Sequence, residues 1–189
     1  DRCLNCGICS ECMACVQACE AKAIDHTMQP EEIQVQAGSI ILATGYDLMD
    51  ATPLKQFGYK KYPNVYTSLE FERLSNATGP TGGEILIRGE KGEFTKKPKS
   101  VALLHCIGSR DVNYHEYCSR VCCTASIKNT VLIKQKYPSA RITILSRGFA
   151  EYAGDLDRAR EMGVEIIRYS LAKPPVVEAG QVTVYHEIS

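Results

Sequence analysis

VALLHCIGSRDVNYHEYCSRVCCTASIKNTVLIKQKYPSARITIL, residues 101–145, decides the fold. It opens on a continuous apolar run, Val101-Ala102-Leu103-Leu104, the mark of a parallel strand buried on both faces. A loop then runs from Cys106 through Gly108, Ser109, Arg110 and Asp111 to Cys118. It reaches Cys122 and Cys123 just as a helical pattern begins with Ile127, Val131 and Lys134, which stops near Tyr137-Pro138. Ile142, Thr143, Ile144 and Leu145 supply a second β-branched run, so the stretch predicts a right-handed strand–helix–strand crossover. On this reading the thiols of Cys106, Cys118, Cys122 and Cys123 gather at the carboxyl edge of a parallel sheet.

In open α/β sheets ligands bind where strand ends meet helix starts, because free N–H groups and the helix dipole point there. Thiols at that place suit an iron–sulfur cluster, whose negative charge the helix start would stabilise. The alternative is a set of buried apolar cysteines. Adjacent Cys122 and Cys123 weigh against it, since neighbours on a regular helix do not face one core.

Working outward, 189 residues predict one domain with a small appendage. Lys plus Arg, 22, equals Asp plus Glu, 22, which leaves no basic excess for nucleic acid or a membrane surface. No apolar run approaches membrane-spanning length, and cysteines occupy the place of a signal peptide's apolar core. The expected setting is the cytoplasm, where thiols stay reduced, so ten cysteines argue for metal rather than disulfides.

Six of those cysteines, Cys3, Cys6, Cys9, Cys12, Cys15 and Cys19, fall within the first nineteen residues. The last four read C-x2-C-x2-C-x3-C, the spacing that wraps an iron–sulfur cube and hands its final cysteine to a second one. Cys3, Cys6 and Cys9 offer a competing register, and Glu20 stands where a proline usually follows. Residues 1–30 are therefore expected to form a ferredoxin-type segment with its ligand assignment open. A structural zinc module is the alternative, although zinc sites favour two separated pairs.

Ala21 to Asp25 predicts a turn and a short strand. Ile33, Val35 and then Gly38 to Gly45 predict another strand, ending in Ala43-Thr44-Gly45, small residues that let backbone pass close to a cofactor or loop. Thr67-Ser68-Leu69-Glu70 is a capping box opening a helix with Phe71 and Leu74 inside. Gly79 to Gly83 ends it, Ile85-Leu86-Ile87 pairs with something, and Arg88 to Lys99 reads as a solvated turn. Asp155 is expected to cap a helix through Met162, Gly163 to end it, and Val164, Ile166 and Ile167 to make a third strand. Val176-Val177 and Val182 to Val184 flank Ala179-Gly180 as a hairpin. The chain carries neither a Walker motif nor G-x-G-x-x-G, and Ser146-Arg147 stand where an acidic residue would hold a nicotinamide ribose. Autonomous nucleotide binding is not expected. Asp1 opens inside a cysteine motif, so the chain reads as part of something larger.

Three stretches together resemble one family. They are Ile40-Ile41-Leu42-Ala43-Thr44-Gly45-Tyr46-Asp47, Thr67 to Leu74 with Gly79-Pro80-Thr81-Gly82-Gly83, and the pair Cys106-Ile107-Gly108-Ser109-Arg110-Asp111 and Tyr117-Cys118-Ser119-Arg120-Val121-Cys122-Cys123. This resembles the A subunit of heterodisulfide reductase across nearly the whole chain. The resemblance implies an α/β, Rossmann-like, thioredoxin-reductase-like flavoprotein over residues 31–189, with a cluster-binding loop at 106–123. It implies FAD and several [4Fe-4S] clusters, and an oxidoreductase component that moves electrons between partner subunits and iron–sulfur carriers in a hetero-oligomer, with flavin-based bifurcation. Cys106, Cys118, Cys122 and Cys123 would hold one cluster, and Ala43, Thr44 and Gly45 would border FAD held mainly by residues outside this chain. A competing reading makes the vicinal pair Cys122-Cys123 the dithiol of an NAD(P)H-dependent disulfide reductase.

Overall fold

A computed structural model describes residues 13–89, 91–149, 156–179 and 181–184. The chain divides into two units, Asp1–Tyr46 and Asp47–Ser189. In the first, helix α1 (Ala14–Ala18) is the regular element among the described residues. The second runs through a 3-10 turn (Lys55–Phe57), α2 (Ser68–Ser75), β1 (Ser100–Leu104), α3 (Cys122–Lys136), β2 (Arg141–Ser146), α4 (Leu156–Glu161), β3 (Glu165–Arg168), β4 (Val176–Glu178) and β5 (Gln181–Thr183).

Strands β1, β2 and β3 form a parallel sheet in that order. Val101 lies beside Ile142, and Ile144 lies beside Leu103 on one side and Ile166 on the other. The expected α/β unit is therefore present, with α3 and α4 as the connections between parallel neighbours. The central strand is buried most deeply, Ile142 and Ile144 being 0% exposed. Their alternation carries both to one face, where Ile133 of α3, Tyr137 just beyond its end, Ala159 of α4, Val164 and Ile85 close the core. Each large aliphatic side chain buried there contributes roughly 1.5–3 kcal/mol.

Helix α3 buries Cys123, Ile127, Thr130 and Ile133, with Tyr137 in line beyond its end, rather than the expected row of Ile127, Val131 and Lys134. The spacing is helical in both rows. Small and polar residues on the true inner face hide it from a count of apolar positions. Helix α2 has the expected capping box, in which Glu70 N–H donates to the Thr67 hydroxyl and the Glu70 carboxylate accepts from Thr67 N–H. Gly163, at φ 71°, ends α4 in a Schellman turn: its N–H donates to Arg160 O and Val164 N–H to Ala159 O.

The hairpin β4–β5 is antiparallel, as expected. Ile87 exchanges backbone bonds with Thr95 and Lys96, so the charged run folds back on the apolar triplet that precedes it. Two expected strands do not form. Residues 22–25 and 38–45 have no strand pairing among the described residues, and Ile40, Ile41 and Leu42 stand 79%, 91% and 84% exposed. Composition suits these segments to a strand, but a strand exists only through its ladder, and no described residue supplies one. The expected cap Asp155 lies outside the described residues. No helix among those described is long and apolar enough to cross a membrane.

Candidate functional site

Cys106 sits just past the carboxyl end of β1. His105 N–H donates to Leu145 O at 2.8 Å, extending the ladder by one residue, and at Cys106 the backbone turns left-handed, φ 58°. The loop then closes on itself: Arg110 N–H donates to Tyr117 O at 3.1 Å, Asp111 N–H to His115 O at 2.9 Å, and the Ser109 hydroxyl to Tyr117 O at 2.8 Å. The buried Asp111 carboxylate accepts from Asn113 N–H at 2.9 Å, an Asx turn that fixes the bend. That closure returns the chain to the sheet edge, where Cys122 and Cys123 begin α3.

Three non-glycine residues of this stretch, Cys106, Arg110 and Arg120, hold φ between 57° and 63°. Such positions cost about 1–3 kcal/mol each and persist where the surroundings impose them. Part of the restraint is a pair of crossed arginines. The Arg147 guanidinium donates to Arg110 O at 2.6 Å and Ser109 O at 3.3 Å, while Arg110 donates to Arg147 O and Gly148 O, each at 3.4 Å. The loop after β1 is thereby clasped to the end of β2.

All four loop cysteines are thiols, Cys123 buried and the other three half-buried. Cys118 Sγ accepts from Arg120 N–H at 3.4 Å, the Ser119 hydroxyl lies 4.0 Å from Cys122 Sγ, and Cys123 Sγ lies 3.9 Å from Nδ1 of His105. No side chain caps α3 and no acidic residue stands in its first turn, which leaves the positive helix end to the cysteines. Tyr169 lies beneath them, its hydroxyl donating to His105 O. Burial raises the Tyr169 pKa most; Cys106 and Cys122 raise it further, and Arg147 and Arg110 oppose them. Two thiols and both guanidinium groups thus act on one buried hydroxyl. Burial also pushes His105 down to about 4, so its imidazole is neutral near pH 7.

No three His, Cys, Asp or Glu side chains among the described residues are grouped as a site for a single metal ion. A [4Fe-4S] cube takes its thiolates at separate corners, and a donor set of four partly shielded thiols on a loop and a helix start fits it. In the first unit, Cys15 Sγ lies 3.4 Å from His26 Nε2, and Cys19 Sγ accepts from Ala23 N–H at 3.4 Å. Cys3, Cys6, Cys9 and Cys12 lie outside the described residues. Ala43, Thr44 and Gly45 are exposed on the unpaired segment, and a Cβ on Gly45 would meet nothing within 4 Å, so the described residues build no flavin cradle there. The residues that sequence reasoning missed are His105, Tyr169 and the clasp of Arg110 with Arg147. Of these only His105 left a signal, a polar residue between an apolar strand and the first loop cysteine.

No family model matches the chain. It is 42% identical, over 99% of its length, to the A subunit of the ferredoxin/F(420)H(2)-dependent CoB-CoM heterodisulfide reductase of Methanosarcina acetivorans, of which it covers 23%. It is 44% identical over 85% of its length to the A subunit of the H(2):CoB-CoM heterodisulfide,ferredoxin reductase of Methanothermobacter marburgensis, covering 25% of that protein. With the iron-sulfur A subunit of the CoB–CoM heterodisulfide reductase of Methanocaldococcus jannaschii it shares 42% identity over 89% of its length, again covering 25%. The chain thus spans about a quarter of the curated relatives it matches, and over that span it belongs to the family of heterodisulfide reductase A subunits.

Proposed function

We propose that this chain is an electron-transfer portion of an oxidoreductase subunit, in which Cys106, Cys118, Cys122 and Cys123 hold one [4Fe-4S] cluster. The observation that carries the reading is the start of α3: two adjacent cysteines open an uncapped helix at the carboxyl edge of a parallel sheet. Bound there, the cluster supplies one-electron transfer. The cysteine thiolates would bind and orient it, and the positive end of the uncapped helix and the guanidinium groups of Arg110 and Arg147 would offset its negative charge. A strand end that in nucleotide enzymes faces a phosphate here faces sulfur, which is why nicotinamide is not the expected electron source.

Cys12, Cys15 and Cys19, with further ligands among Cys3, Cys6 and Cys9, form a second iron–sulfur site in a ferredoxin-type segment. The contacts of Cys15 with His26 and of Cys19 with Ala23 N–H support polar tuning of those sulfurs. The relatives' names couple a CoB–CoM heterodisulfide to ferredoxin, F(420)H(2) or H(2). By extension, the partners of this chain are other subunits of a disulfide-reducing complex and iron–sulfur carriers, in the cytoplasm. A flavin bordering Ala43-Thr44-Gly45, and bifurcation at it, would depend on residues outside this chain.

The test uses the full-length protein purified anaerobically. Cys122→Ser should remove one cluster signal and slow reduction by an iron–sulfur donor by tenfold or more, while bound flavin remains. An unchanged set of cluster signals together with rapid reduction by NADH or NADPH would overturn the reading in favour of a dithiol reductase.

A further inference from the structure

His105 is buried at the centre of the loop site without a structural role that accounts for its chemistry. The residue is 2% exposed, and its ring stands edge-on to Phe149 at 5.3 Å. Nε2 has no hydrogen-bond partner among the described residues. Nδ1 lies 3.9 Å from Cys123 Sγ.

Nδ1 carries an N–H in any doubly protonated imidazole, and in a singly protonated one the contacts decide where that N–H stands. Placed on Nε2, it would be a buried donor without an acceptor, which folded proteins rarely tolerate. Placed on Nδ1, it points at sulfur and leaves only a lone pair unmet. A thiolate bound to iron accepts and does not donate, so one bond is open between the two side chains, Nδ1–H to Sγ. The backbone holds that donor in place from both sides, since His105 N–H is tied to Leu145 O and His105 O accepts from the Tyr169 hydroxyl.

We infer that His105 is a positioning residue of the loop site: its buried Nδ1–H donates to the Cys123 thiolate and raises the reduction potential of the group that thiolate binds. The cause is electrostatic. Reduction adds one electron to an already anionic group, and a donor aimed at one of its sulfurs stabilises the more negative state. No proton is transferred, because the same N–H serves both oxidation states. The inference rests on the cluster reading proposed above.

The experiment is pulsed EPR on full-length protein, reduced anaerobically and labelled with histidine carrying 15N in the imidazole ring alone, observing the cluster signal that Cys122→Ser abolishes. A weak 15N coupling should appear at that signal, persist in His115→Asn and vanish in His105→Leu. Potentiometry supplies the second readout. His105→Leu should lower the reduced-to-oxidised ratio of that cluster about tenfold at fixed potential, ~59 mV for one electron, whereas His105→Gln, whose amide also donates, should stay within about threefold of wild type. Absence of 15N coupling in the wild type, which needs no variant to fold, overturns the role of His105 and leaves the cluster standing. Equal shifts in the Leu and Gln variants overturn it too, since they would report packing alone. If Cys122→Ser abolishes no signal, the cluster reading fails and the inference falls with it.

Discussion

Tyr137 shows how one residue ties the sheet's helix to a segment fifty residues earlier. Its hydroxyl donates to the Glu84 carboxylate at 2.7 Å and accepts from Ile85 N–H at 3.1 Å, at a place where Ile85 is buried. Tyr137→Phe leaves that N–H unpaired and should cost ~1–3 kcal/mol, read as faster hydrogen exchange of the peptide spanning residues 84–88 in the full-length protein. The same bond is the main cause that holds the Glu84 carboxyl below its ordinary range, with Lys97 and Lys136 adding to it against burial. A carboxyl so depressed contributes stability that is present above its unfolded pKa and is lost as pH falls through the folded value. Protection at 84–88 should therefore decline in acid in the wild type, and more shallowly in Tyr137→Phe. Ile144, 0% exposed in the central strand, gives a simpler expectation: Ile144→Ala should destabilise by about 2–5 kcal/mol in thermal unfolding, by opening a cavity that neighbours on three elements line.

Among the elements, the cluster loop depends on the arginine clasp. Arg147→Met removes bonds to two carbonyls that hold the strained backbone at Arg110. Hydrogen exchange across residues 109–120 should accelerate tenfold or more in that variant, while the β1–β2 ladder keeps its protection. Thr67→Ala, by contrast, should loosen only α2, by ~0.5–2 kcal/mol through loss of the capping box. These two elements also mark what was legible in the sequence. The capping box, the three apolar runs that became β1, β2 and β3, and the glycine stop at Gly163 announce themselves because local chemistry fixes each of them. The inner face of α3 does not, because Cys123, Ser126 and Thr130 occupy positions where an apolar count finds nothing. The clasp was invisible, since carbonyl groups rather than side chains are its acceptors. The expected strand at 38–45 rests on an apolar run, while its formation depends on a partner that no described residue provides.

Across the whole molecule, Ile40, Ile41 and Leu42 are exposed in a chain that spans a quarter of its relatives. Ile41→Asp should leave the three-stranded sheet intact and lower the yield of folded full-length protein if residues outside this chain pair with that segment; unchanged yield and exchange at 38–45 would show that the segment stays solvated. The redox role proposed for the molecule turns on the four loop thiols. Iron and acid-labile sulfide are to be measured per polypeptide in anaerobically purified full-length protein, wild type against a variant with Cys106, Cys118, Cys122 and Cys123 all changed to Ser. A cluster at this loop predicts a loss of about four iron and about four sulfide, one cube, with the remaining clusters retained. Equal iron and sulfide in the two proteins would contradict it.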